Sequence, residues 1–217
     1  MLKAGIIISI QPTPLSLFDS IDRICDFARI AEQAGAIAVK IEGIKRIEAV
    51  KRVISIPLIG ISKIGIMEEG RFPITPTIQL LDLIFDTGAD YAATESLAVI
   101  EASNKRSRLI FEADAEATSK IAQDFGVMAI ATTLYGYTKE TEDRFSPDPD
   151  LEAVSELHQA LAIPIVAEGR YSKSEDIRAA LECGAHSVCI GTAITRPDIM
   201  IQNMVKAFRN EEALRHS

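Results

Sequence analysis

Short apolar, β-branched runs alternate with longer stretches of helical period along the whole chain. Eight runs stand out, at residues 5–10, 36–41, 57–62, 90–94, 109–113, 127–132, 164–168 and 187–191. They are nearly continuous apolar runs, not alternating ones, the pattern of strands covered on both faces. Between them lie amphipathic stretches at 20–34, 47–53, 77–86, 115–125, 151–161, 174–182 and 197–209. In the first, Ile21, Ile24, Phe27, Ala28 and Ala31 fall on one helical face. In the last, Ile201, Met204, Val205 and Phe208 do the same. Thr75-Pro76 reads as a helix start, with proline early in the first turn.

Four helices end alike, in "EQAGAIAV", "FDTGADYA", "AQDFGVMA" and "LECGAHSV". A glycine just past a helix, with a strand a residue or two on, is the expected αβ connection. The order βαβα… predicts a parallel sheet. Eight strands with intervening helices predict a (β/α)₈ barrel formed as one domain by residues 1–217. A doubly wound open sheet is the alternative; even spacing and the lack of a GxGxxG turn after the first strand favour the barrel.

Composition narrows the function classes. Lys and Arg total 23 against 31 Asp and Glu, a net charge of −8. That excess of acid argues against a nucleic-acid partner or an anionic membrane surface. No apolar run approaches membrane length, and "GIIISI" is too short for a signal-peptide core. Three cysteines, Cys25, Cys183 and Cys189, lack paired spacing and are expected to be reduced and mostly buried. A cytoplasmic enzyme is the expectation.

In such a barrel the chemistry sits where the strands end, at the C-terminal mouth. The runs end on Ser9 and Gln11; Lys40 and Glu42; Lys63; Thr94 and Glu95; Glu112 and Asp114; Thr132, Thr133 and Tyr135; Glu168; and Gly191. Lys63, closing "IPLIGISK", and Glu168, in "IPIVAEGR", are the candidate acid/base pair. Burial lowers a lysine's pKa and a nearby carboxylate raises it, so such neighbours can place an acid and a base near neutrality. The plainer alternative is a structural ion pair between them. Gly169-Arg170 and "IGTAITRP", with Gly191, Thr192 and Arg196, place glycines and arginines after the seventh and eighth strands, where barrels bind phosphate. His158, His186 and His216 show no metal-ligand spacing, so no metal is expected. The "FSPDPD" stretch reads as a solvated loop.

"PLIGISK", "ITPT", "TTLYGYT", "IPIVAEGR" and "IGTAITRP", in this order, with "ISIQ" near the N-terminus, resemble the N-acetylmannosamine-6-phosphate 2-epimerase family over nearly the whole chain. The resemblance implies a (β/α)₈ barrel that interconverts N-acetylmannosamine 6-phosphate and N-acetylglucosamine 6-phosphate in sialic-acid catabolism, without metal or nucleotide cofactor. It puts the catalytic lysine on Lys63 and the catalytic glutamate on Glu168. It puts substrate contacts on Gln11, Lys40, Asp114 and Tyr137, and the phosphate-side motifs on Gly169, Arg170, Gly191, Thr192 and Arg196. A homodimer is compatible with it.

Departures accompany the resemblance. Lys40 stands where the family has arginine, which loses a bidentate fork, and Glu42 adds a negative charge near the ligand. "YAATESLAVI" lacks the family's aspartate, whose position falls on Ala92, and its basic loop. An altered substrate or weakened activity would follow. Two other readings stay open: a Schiff-base aldolase-type enzyme on the same barrel, and a sugar-phosphate-binding protein that has lost turnover.

Overall fold

The computed structural model describes residues 2–12, 14–64 and 71–215, with side chains through residue 209; His216 lies outside the described residues. Its strands are β1 (Gly5–Ile10), β2 (Ala38–Glu42), β3 (Leu58–Ile61), β4 (Tyr91–Thr94), β5 (Leu109–Glu112), β6 (Ala129–Ala131), β7 (Ile165–Glu168) and β8 (Ser187–Ile190). They pair in parallel, in sequence order, and β8 closes on β1, which makes a closed barrel. The helices are α1 (Ile21–Gln33), α2 (Ile44–Lys51), α3 (Ile78–Asp86), α4 (Leu97–Ala102), α5 (Glu116–Asp124), α6 (Leu151–Ala160), α7 (Ser174–Glu182), α8 (Thr192–Thr195) and α9 (Pro197–Arg215).

Side-chain parity along each strand makes two cores. Ile8, Val39, Leu58, Phe111 and Val188 point outward and pack under the helices. Ile7, Ile59, Ile61, Ile110 and Val166 point inward and fill the lumen. The inward positions lead up each strand to the mouth, so parity alone decides which polar residues reach the site.

The four helix-ending glycines, Gly35, Gly88, Gly126 and Gly184, all have φ between 86° and 97°. This left-handed turn reverses the chain within one residue, and it is open to glycine without strain. The expected helix start at Thr75-Pro76 moves to Thr77, whose side chain accepts from the Leu80 N–H. Thr75 is buried with φ +47°, and Thr94 Oγ1 donates to its carbonyl at 2.9 Å. α2 starts at Ile44, ahead of the expected 47, because Gly43 turns the chain straight into it. α4 and α8 are too short to carry a readable helical period.

Cys25, Cys183 and Cys189 are all free thiols, and Cys25 and Cys189 are buried. Among the described residues no helix is long and apolar enough to cross a membrane.

Gly60 sits where β3 meets α2 and α3. A Cβ there would come within 2.4 Å of Ile84 Cγ2 and 3.0 Å of Ile47 Cδ1. Gly60→Val should therefore destabilise the barrel by about 1–3 kcal/mol, the usual cost of overpacking. Urea unfolding followed by far-UV circular dichroism reads it as a lowered midpoint.

Candidate active site

At the centre of the barrel lies a lysine between two glutamates. Lys40 from β2 is 3% exposed. Its ammonium donates to Glu112 Oε1 of β5 at 2.6 Å and to Glu168 Oε2 and Oε1 of β7 at 2.8 and 2.9 Å. An ammonium has three protons, so all of them are engaged by carboxylates. Burial pushes the Lys40 pKa down, but Glu112 and Glu168 more than offset it and hold the amine charged, its pKa above the usual lysine value. Burial raises the Glu112 carboxyl above the usual range despite Lys40. Cys189 of β8 faces the same cluster, and burial, with Glu168 beside it, pushes its thiol well up.

Lys63 sits two residues beyond β3, in an isolated antiparallel bridge to Ile74. Its side chain keeps solvent access at the mouth. The protein packed around it still lowers its pKa, and the Lys40 ammonium lowers it further, against the opposing pull of Glu112, Glu168 and Glu42. The expected neighbours are therefore electrostatically coupled, but Glu168 makes its ion pair with Lys40. Thr132 Oγ1 of the β6 end donates to the Glu168 carbonyl at 2.9 Å and accepts from its N–H at 3.0 Å. The backbone under Glu168 is thereby pinned.

Around the rim, Gln11 Nε2 donates to Ser9 Oγ at 2.7 Å, and Asp114 accepts from Thr118 Oγ1 at 3.0 Å. Glu42 is no loose charge: Arg46 binds it at 2.5 Å and also binds Asp19 of the β1–α1 loop. Gly169 has φ +112° and Arg170 φ +66°. The Arg170 guanidinium donates Nη2 to the Tyr135 carbonyl at 3.2 Å and lies over the rings of Tyr137 and Phe145. Its Nε and Nη1 are buried and find no acceptor among the described residues. Gly191 leads into α8, with Thr192 exposed and Arg196 at its end. Thr195 Oγ1 ties α8 to the Ser9 carbonyl at 2.8 Å.

The family model described as "Putative N-acetylmannosamine-6-phosphate epimerase" matches residues 24–210. The chain belongs to this epimerase family. A Salmonella arizonae protein named as such a 2-epimerase is 37% identical over 204 residues, 89% of this chain and 87% of its own length. One from Caldanaerobacter subterraneus is 33% identical over 94% of this chain and 91% of its own length. The solved N-acetylmannosamine-6-phosphate 2-epimerase from Clostridium perfringens matches with a TM-score of 0.86 and 27% identity, covering 95% of this chain and 94% of that one.

Within this epimerase barrel several expectations change. Ala92 packs in the outer core under the helices, so it does not stand at the mouth. The carboxylate that closes β4 is Glu95, held by Arg71 at 2.6 Å. The "FSPDPD" stretch is the expected exposed loop, tied down at its last residue: Arg144 grips Asp150 with two bonds, of 2.8 and 3.1 Å, and Asp150 caps α6. Lys40, expected as a substrate contact, is buried and has its ammonium engaged by Glu112 and Glu168. Sequence reading passed over Glu112 as a partner of Lys40. Its inward parity with Ile110 was the available signal, but the pairing spans 72 residues.

Removing the central cation leaves the buried Glu112 carboxylate facing the part-buried Glu168. Lys40→Met should destabilise the fold by about 3–5 kcal/mol, the cost of breaking a buried ion pair. The loss is largest at pH 8 and shrinks as pH falls toward 5. A carboxyl whose folded pKa is raised binds its proton more tightly folded than unfolded, so acid restores stability. Calorimetric melts of wild type and variant across that range would show the gap closing.

Proposed function

We propose that this protein interconverts N-acetylmannosamine 6-phosphate and N-acetylglucosamine 6-phosphate by proton transfer at C2. The observation that carries this reading is Lys63, a mouth lysine with a lowered pKa, above a Glu168 carboxylate held in place by Lys40. The epimerase names of the relatives supply the substrate class.

The C2 proton of a 2-acetamido sugar is acidic only beside the C1 aldehyde of the open chain. Lys63, as the neutral amine, takes that proton. The C2–H bond breaks, an N–H bond forms, C1 and C2 become doubly bonded, and the charge moves to O1. Glu168 acts as the partner acid/base for the proton on O1. Return of a proton to the opposite face of C2 inverts the centre and restores the aldehyde. Gln11 and Asp114 contact the sugar from the rim. Gly169, Arg170, Gly191, Thr192 and Arg196 form the phosphate side, supported by the buried Nε and Nη1 of Arg170, which find no acceptor among the described residues. The phosphate then contributes remote binding energy that holds the reacting carbon in place.

A lowered lysine pKa also favours Schiff-base formation with a carbonyl substrate. Borohydride trapping separates the two: a reduced adduct on Lys63 supports the aldolase-type reading, and no adduct supports proton transfer.

The direct test is incubation with N-acetylmannosamine 6-phosphate in D₂O, followed by proton NMR. The expected product is N-acetylglucosamine 6-phosphate carrying deuterium at C2. Lys63→Ala and Glu168→Gln should each cut the rate by about 10²–10⁴-fold, the size of a general acid/base contribution. Wild-type kcat/KM should rise with pH through the lowered Lys63 pKa, because only the neutral amine accepts the proton. Binding of the sugar phosphate with no exchange at C2 would leave a non-catalytic binding protein.

We also read the assembly as a homodimer. Ile201, Met204, Val205 and Phe208 of α9 form an exposed apolar stripe that a second copy would cover. Sedimentation should give twice the chain mass, and Phe208→Glu should shift it toward monomer; a wild-type monomer rules the dimer out.

A further inference from the structure

Among the described residues, Lys40 and Glu112 are the charged side chains buried in the protein core. The proposed reaction uses Glu168 and Lys63 and leaves Glu112 without a role. Yet Glu112 makes the shortest of the three ammonium bonds, 2.6 Å against 2.8 and 2.9 Å to Glu168. Its second oxygen, Oε2, is buried, and the Thr133 side chain lies close enough to favour the ionised carboxylate. A buried ion pair is a costly way to fill a lumen that apolar side chains would fill with equal or better stability. Elsewhere the lumen is filled in that way, by Ile110 beneath Glu112 on β5 and by Ile59, Ile61 and Val166 on neighbouring strands.

We propose that Glu112 is a positioning residue of this site: by binding one proton of the Lys40 ammonium it fixes that cation on the barrel axis, presents the Glu168 carboxylate to the mouth and sets the field at Lys63. The inference rests on the reading of Lys63 and Glu168 as the proton-transfer pair. An ammonium is a compact charge on a flexible stem, and it holds a defined position only where its protons have fixed acceptors. Glu168 supplies two acceptors on one side. Glu112 supplies the third from across the barrel, which stops the ammonium from swinging with Glu168 toward the mouth.

Among the described residues, the charged groups that act on Lys63 come from three strands: Lys40 and Glu42 from β2, Glu112 from β5 and Glu168 from β7. Arg46 already neutralises Glu42, and Cys189 of β8 faces Glu168 and Lys40 as a thiol. Glu112 and Lys40 act on Lys63 with opposite signs. Deleting the Glu112 charge therefore lets the Lys63 amine deprotonate more readily.

The test is Glu112→Gln, which keeps the shape and removes the charge. In ¹⁵N-lysine-labelled protein, the Lys63 resonance, assigned with Lys63→Arg, should titrate about one pH unit lower than in wild type. In the C2 exchange assay the ascending limb of kcat/KM should move the same way. There kcat should fall at least about tenfold, with KM within about twofold, as expected when a catalytic group is mispositioned and binding is intact. Glu112→Asp keeps the charge and shortens the reach, so it should leave the Lys63 titration in place and still lower kcat. An unmoved Lys63 titration in a folded Glu112→Gln protein overturns the proposal. If Glu112→Gln does not fold, Glu112→Asp decides: lowered kcat at constant KM supports the proposal, and wild-type kcat overturns it. Failure of wild type to exchange at C2 would count against the proposed function, while the NMR titration still decides the role of Glu112.

Discussion

The ammonium of Lys40 is the interaction on which the site depends. It sits in the lumen of a closed parallel barrel and joins β2 to β5 and β7 through carboxylates. A lone buried charge would cost several kcal/mol and would shed its proton. Two glutamates keep this one ionised, and it in turn keeps one of them, Glu168, aimed at the mouth. Placed on rigid strands, these groups have little freedom to reorganise. That is the condition for electrostatic preorganisation.

Above this buried layer the rim is stitched by arginines. Arg46 ties Glu42 to the β1–α1 loop through Asp19. Arg71 holds Glu95 at the end of β4. Arg170 braces the loop after β6 through the Tyr135 carbonyl and the rings of Tyr137 and Phe145, and Arg144 fastens the far end of that loop to Asp150 and Glu156. In a chain of net charge −8, three of these four arginines thus bind carboxylates and serve to tie loops to strand ends.

Much of the barrel was legible in the sequence. Continuous apolar runs mark strands buried on both faces, and four glycines mark helix ends that only a left-handed residue closes without strain. Short elements were not legible, because a helix of four or six residues such as α8 or α4 has no period to read. Register was the harder loss. One residue of error carries a side chain from lumen to helix layer: Ala92, the position of the family's aspartate, faces the helices, while its neighbour Ala93 faces the lumen.

The sequence by itself determined the alternation of strands and helices, the family, and which residues end each strand. Those follow from local periodicity and turn chemistry, which act over a few residues. Only the tertiary structure decided who pairs with whom. Lys40 meets Glu112 and Glu168 across 72 and 128 positions of chain, and burial and the Lys40 ammonium lower the pKa of Lys63. Barrel closure brings those strands to one axis, and burial there makes each charge answer to its neighbours more than to water.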